Sequence, residues 1–357
     1  MEGPNHHVRR RWIATVLTVV CITAALAACG SSEESSRRVS LLPSTTAKGN
    51  AWEWSSACRV GPHSPTGCEA SGPELGPAQL AGNEWNLGGP ATAGSVRMHV
   101  NSSGGLELTG NLSTAPPCTD ASCIAPQANT WVRGYPSVLY GIDQCNAATS
   151  PQQSPQLRLP MKVGSIPSDL IGSTTYDSQS SPVTYDIAYD LWLNASGTKT
   201  PCKTDGTLEV MVWTDYNARS LLPDSIKVGT ATIPFAVNGN ADPGNQAWSV
   251  YVNNVYQGGH TVPWGGTVWL VLDSDHTVKD GTATVNLSAA LNAVGTLLEN
   301  NYGWSNFASN YWLDTIAFGT EFGPESGDPY GDGPTTFSLN LTSYCLEAGT
   351  TVSAAAC

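Results

Sequence analysis

The stretch LEVMVWTDYN, Leu208 to Asn217, decides the reading of the fold, because an apolar run carries a carboxylate at its second position. Side chains alternate between the two faces of a strand. Leu208, Val210 and Val212 make one uniformly apolar face, suited to the core between two sheets. Glu209, Met211 and Trp213 make the other, a carboxylate beside a thioether and an indole. An unpaired charge is costly to bury, so Glu209 needs either solvent or a ligand-filled groove. This strand alone leaves both roles open.

Upstream, Tyr185 to Leu193 reads YDIAYDLWL. Asp186, Ala188, Asp190 and Trp192 share one face; Tyr185, Ile187, Tyr189, Leu191 and Leu193 share the other. A polar loop from Asn194 to Gly206 can join the two runs as a hairpin, which sets the Asp190 face beside the Glu209 face. Two carboxylates in one groove shift each other's proton affinity. Further alternating runs are Ala247–Val252, Thr267–Leu272, Trp312–Phe318 and Phe337–Leu341, separated by Gly, Pro, Asn and Asp. They predict a β-sandwich. Leu287, Leu291, Val294 and Leu298 recur at helical spacing and predict one amphipathic helix over 286–299.

The ends of the chain read differently. Arg9, Arg10 and Arg11 precede an apolar stretch from Trp12 to Ala28, the anatomy of a signal peptide over residues 1–28. Leu26-Ala27-Ala28-Cys29-Gly30 resembles a bacterial lipobox, which implies lipid on Cys29, a membrane anchor and an exported, surface-held protein. Residues 29–50 are polar with almost no aromatics, and are expected to form a flexible tether. Residues 51–357 are then a single domain. Setting aside Cys21 and Cys29 leaves eight of the ten cysteines, an even number suited to disulfides in an oxidising compartment. Local proximity suggests Cys58–Cys68, Cys118–Cys123 and Cys345–Cys357, leaving Cys145 for Cys202. Zinc spacings are absent, and no metal or cofactor is expected. Asp328 and Asp332 read as a solvated loop before a calcium site. His99, His260 and His276 form no constellation.

Without residues 1–28, which hold three basic residues and one acidic, the chain has 13 Lys+Arg against 28 Asp+Glu, a net charge of −15. That balance disfavours nucleic acid and anionic membrane surfaces as partners. With few charges and abundant Trp, Tyr, Asn, Ser and Thr, the composition leans toward a neutral polar ligand such as a glycan.

In this order along the chain, several blocks resemble glycoside hydrolase family 12, the compact endoglucanases and xyloglucanases. Asn83-Glu84-Trp85 is similar to the family's Asn-x-Trp element. Tyr135-Pro136-Ser137-Val138-Leu139-Tyr140-Gly141 resembles its Tyr-Pro turn and following strand. Tyr189-Asp190-Leu191-Trp192 resembles the strand whose Asp supports the nucleophile, and Glu209-Val210-Met211-Val212-Trp213 the nucleophile strand. Tyr311 to Glu321, YWLDTIAFGTE, is similar to the strand that ends in the acid/base glutamate. Two departures stand out: Ala317 occupies the family's Gln position and Phe322 its Pro position. Glu325 is a lesser alternative to Glu321.

The resemblance implies an all-β, concanavalin-like jelly roll of two curved antiparallel sheets with an open substrate cleft. It implies a retaining endo-β-1,4-glucanase, monomeric, acting on cellulose, mixed-linkage glucan or xyloglucan. Glu209 would be the nucleophile, Glu321 the acid/base and Asp190 the residue that holds Glu209. Asn83, Trp85, Tyr135, Met211 and Trp213 would bind sugar. Such an enzyme needs its two carboxyl groups ~5–5.5 Å apart across one glycosidic bond. The competing reading is a non-catalytic glycan-binding lipoprotein on the same sandwich, which would need neither glutamate.

Overall fold

The computed structural model describes residues 38–42, 53–55, 77–81, 96–100, 105–111, 132, 134–142, 153–181, 184–195, 197, 205–217, 226–241, 246–261, 265–273, 277–323 and 336–349. Eighteen strands run through them. The first nine are β1 Val39–Ser40, β2 Glu53–Ser55, β3 Gln79–Ala81, β4 Val96–Val100, β5 Leu106–Asn111, β6 Ser137–Gly141, β7 Met161–Lys162, β8 Ile171–Ser181 and β9 Thr184–Asn194. Then come β10 Thr207–Tyr216, β11 Ile226–Ile233, β12 Phe235–Val237, β13 Asn240–Ala241, β14 Gln246–Asn253, β15 Gly266–Leu272 and β16 Asp280–Asn286. Helices α1 Leu287–Tyr302 and α2 Phe307–Asn310 precede β17 Trp312–Gly323 and β18 Thr336–Glu347.

The strands form two sheets. One has the order β13-β12-β16-β8-β18-β5-β4-β2, with β1 on β18. The other, which carries the site, has the order β11-β14-β15-β10-β9-β17-β6-β3, with β7 on β17. The expected hairpin is present, β9 and β10 being antiparallel. One ladder departs from the antiparallel expectation: β10 runs parallel to β15. The chain reaches β15 only after passing through β11 and β14, a crossover long enough to return it in the same direction.

Alternation builds the core. Leu208, Val210 and Val212 join Tyr185, Ile187, Tyr189, Leu191 and Leu193 in one apolar cluster between the sheets. The Tyr189 ring meets Phe318 edge-on at 4.8 Å and Tyr344 at 6.1 Å, so β9, β17 and β18 lock together across the two layers. Tyr189 keeps its hydroxyl satisfied against Thr174 at 2.8 Å. Gly172 on β8 makes room for that ring: a Cβ there would stand 2.5 Å from a Tyr189 ring carbon. At the Asn238-Gly239 turn joining β12 to β13, both residues have positive φ, 51° and 73°. That pair suits a two-residue hairpin whose twist matches its strands.

The predicted helix is α1. The Asn286 side chain caps it by accepting from the Ala289 backbone N–H at 2.8 Å, and Gly303 ends it in a left-handed conformation. Leu287, Leu291, Val294 and Leu298 face the core as the spacing predicts. The short α2 was not expected.

The N-terminal tether reading is corrected for residues 38–42. Val39 and Ser40 pair with Leu346 and Cys345 of β18, and Leu41 is wholly buried. Arg38 reaches Glu347 at 3.5 Å. Averaging composition over a Ser- and Thr-rich segment hid the local run Val39-Ser40-Leu41-Leu42, which has enough apolar surface to dock. Cys345 is buried and disulfide-bonded. The other nine cysteines lie outside the described residues, and with them the expected pairings and the lipobox Cys29.

Candidate active site

The site sheet has a second buried face, turned away from the main core. Tyr135, Leu139, Ala188, Met211, Trp213, Val271 and Ala317 cluster there, with Tyr216, Tyr251 and Trp269 packed at their edge. The carboxylates singled out from sequence project on this same side. Glu209 occupies β10 between Trp192 of β9 and Thr267 of β15. The Thr267 hydroxyl donates to Glu209 Oε2 at 2.9 Å, a contact that favours the ionised carboxylate.

Asp190 sits at the centre of the face, opposite Met211 of β10 on one side and Ala317 of β17 on the other. It is buried, and its Oδ2 accepts from the Trp192 indole N–H at 2.7 Å. Glu209 lies diagonally from Asp190, a relation that puts Cα atoms roughly 7–8 Å apart. Ala317, which departs from the family's Gln, is buried opposite Asp190.

Glu321 lies near the end of β17, half-buried, and pairs with Asp186 of β9. It lies on the same face as Glu209 and Asp190. Glu209 is opposite Trp192 and Glu321 opposite Asp186, so the glutamates are offset by six residues of β9. At ~3.3 Å per residue that is about 20 Å along the strand. Glu209, Asp190, Asp186 and Glu321 form a ladder of carboxylates along one face of the sheet.

The expected sugar-binding residues divide. Tyr135 is buried and donates its hydroxyl to the Ala188 carbonyl at 2.8 Å. Burial first, then Asp190, Asp186 and Glu321 nearby, raise its pKa well above the ordinary tyrosine value, so it stays neutral. Met211 and Trp213 are also buried, Trp213 completely, with its ring 5.7 Å from that of Tyr216. Trp213 thus packs within the face, covered by its neighbours. Asn83 and Trp85 lie outside the described residues, as do Glu325, His276, Asp328 and Asp332.

Two aromatics that the sequence reading passed over stand on the same face. Trp269 on β15 stands opposite Met211, and Tyr251 on β14 stands opposite Trp269; both are partly exposed at the edge of the cluster. The signal was available in GTVWLVL, whose alternate positions Thr267, Trp269 and Val271 share the Glu209 side. Asp186 was placed on the right face but given no role. Its own side chain is wholly buried.

Residues 77–346 match the model of glycosyl hydrolase family 12, and the chain belongs to that family. Among solved structures, it resembles the native family 12 xyloglucanase from Bacillus licheniformis, at 16% identity and a TM-score of 0.50, over 82% of this chain and 98% of that one. A metagenome-derived family 12 endoglucanase is similar at 17% identity and a TM-score of 0.50, over 83% and 100% of the two chains. No curated protein sequence matches the chain. At these identities the structural likeness speaks for the shared jelly-roll fold.

Proposed function

We propose that this protein is an endo-β-1,4-glucanase that hydrolyses internal bonds of a β-glucan by double displacement. Family membership and the carboxylate ladder on the aromatic face of the site sheet support the reading. Glu209, whose carboxylate accepts from the Thr267 hydroxyl, attacks the anomeric carbon. Glu321 delivers a proton to the leaving oxygen, then takes one from the water that frees the sugar. Asp190 steadies the nucleophile, and Trp269 and Tyr251 give the sugar rings a surface to stack on. The substrate class is cellulose, mixed-linkage glucan or xyloglucan. Export and anchoring through lipid on Cys29 belong to the same proposal.

The mechanism carries a geometric requirement. Both glutamates must reach one bond. A mechanism-based 2-deoxy-2-fluoro cellobioside tests this directly, because it leaves its sugar on the nucleophile. Peptide mass mapping should find the label on Glu209. A label on Asp190, Asp186 or Glu321 would overturn the assignment.

The partly exposed Trp269 and Tyr251 also suit a second reading, a glycan-binding sandwich without catalysis, which needs the aromatic face and neither glutamate. Reducing-end release from carboxymethylcellulose, mixed-linkage β-glucan and xyloglucan separates the two. Binding with no release from any of them would establish the second.

A further inference from the structure

Asp186 is the carboxylate that neither the family blocks nor the mechanism uses. It lies on β9 directly opposite Glu321, and paired positions on neighbouring strands hold their Cβ atoms about 4.5–5.5 Å apart. It is completely shielded from solvent, and neither of its oxygens makes a hydrogen bond of ordinary geometry. The Glu321 carboxyl and backbone N–H act on it more loosely, the carboxyl favouring its protonated form and the N–H its ionised one. A carboxylate that has lost its water for so little is in an expensive state that protonation relieves. Glu321, half-buried across the ladder, is the natural place for the same proton to go.

We propose that Asp186 and Glu321 hold one proton between them, and that Asp186 is the positioning residue that keeps Glu321 supplied as an acid. The inference rests on Glu321 being the acid/base glutamate proposed above. Two carboxylates in contact cannot both ionise cheaply, so the second proton leaves the pair only at raised pH.

The neighbourhood agrees. Burial raises the Asp186 pKa well above the usual carboxylate value, and the charge of Glu321 raises it further, with Asp190 adding to it. Asp190 lies four residues on along β9, on the same face. The Tyr135 hydroxyl, ahead of β6, is given to the Ala188 carbonyl and stays neutral. From β10, Tyr216 pairs opposite Asp186. Asp215, its neighbour in the chain, is held by the hydroxyl of the core residue Tyr185. None of these groups is a cation that could stabilise a second negative charge.

The test is the pH profile of kcat/KM on a soluble β-glucan for the wild type and Asp186→Asn. Asparagine keeps the shape and removes the titrating partner. The basic limb, where the general acid is lost, should move down by about one pH unit or more, while the acidic limb stays in place. An unmoved basic limb in the folded variant would overturn the proposal. A 13C titration of labelled carboxyl carbons in the wild-type protein serves if the variant does not fold. An aspartate carboxyl that titrates well above the ordinary aspartate range, and changes its titration in Glu321→Gln, is expected; no such carboxyl would refute the shared proton. Wild-type activity in Glu321→Gln would instead remove Glu321 from the mechanism, an outcome separate from either result for Asp186.

Discussion

Replacing Asp215 by Asn should stabilise this protein at neutral pH and leave it nearly unchanged in acid. Asp215 is wholly buried in β10, with the Tyr185 hydroxyl donating to its Oδ2 at 3.1 Å. Burial raises its pKa from 3.8 to about 6, against the opposing pull of the Tyr185 hydrogen bond, a backbone donor and Lys279. Below the unfolded value, Asp215 is neutral in both states and costs nothing. As pH rises toward the folded value, the unfolded chain ionises first, so stability falls. Above it both states are charged, and the folded state bears a penalty of about two pKa units, or roughly 3 kcal/mol. Asparagine cannot ionise, and its carbonyl can still accept from Tyr185. The variant should therefore gain about 1–3 kcal/mol at pH 7–8, or roughly 2–10 °C in Tm for a domain of this size. Thermal melts at half-unit steps from pH 3.5 to 8 read it. The gap between variant and wild type must open between about pH 4 and 6 and then level off. A gap constant across that range, or a variant less stable at pH 7, would refute the argument.

Glu209→Gln and Glu321→Gln should each lower turnover on β-glucan by several orders of magnitude with unchanged melts; near-wild-type rates would remove that residue from the chemistry. Gly172→Ala should cost about 1–3 kcal/mol, because the added methyl meets the Tyr189 ring, itself fixed against Phe318 and Tyr344. Denaturant titration checks it. Asn286→Ala removes the cap of α1 and should cost about 1 kcal/mol by the same measurement, with glucan turnover little changed. Cys29→Ala should release the protein from membranes of an expressing bacterium; unchanged membrane partitioning would discard the lipid anchor.

The two-faced strands were legible because alternation is a local property. YDIAYDLWL and LEVMVW each declare which residues enter the core, and both do so as read. The helix was legible from its spacing, and its cap confirms the start to within a residue. Register was not legible, because the pairing of β9 with β10 and β17 depends on loop lengths and bulges. A slip of an even number of residues preserves every face assignment. The faces of Glu209, Asp190 and Glu321 could thus be read, while their rows could not. The burial of Trp213 was not legible for a related reason: a large indole on the site side of a central strand is covered by its neighbours. Trp269, one strand further from β9, is left partly open.

The places of β17 and β18 have a consequence for how the chain reaches this state. β18 lies between β8 and β5, and β17 between β9 and β6, so the last two strands made are central in their sheets. Until they are inserted, each sheet is two separate pieces with raw edges at the gap. The aromatic lock joining Tyr189 to Phe318 and Tyr344 waits on the same event. Ordered growth from the N-terminus therefore cannot complete either layer. The domain must close in one late, long-range step once residue 347 is free of whatever holds the chain. Pairings so distant in sequence make that step slow. A polypeptide built this way remains open for most of its synthesis, the condition in which a chain can be threaded through a narrow channel.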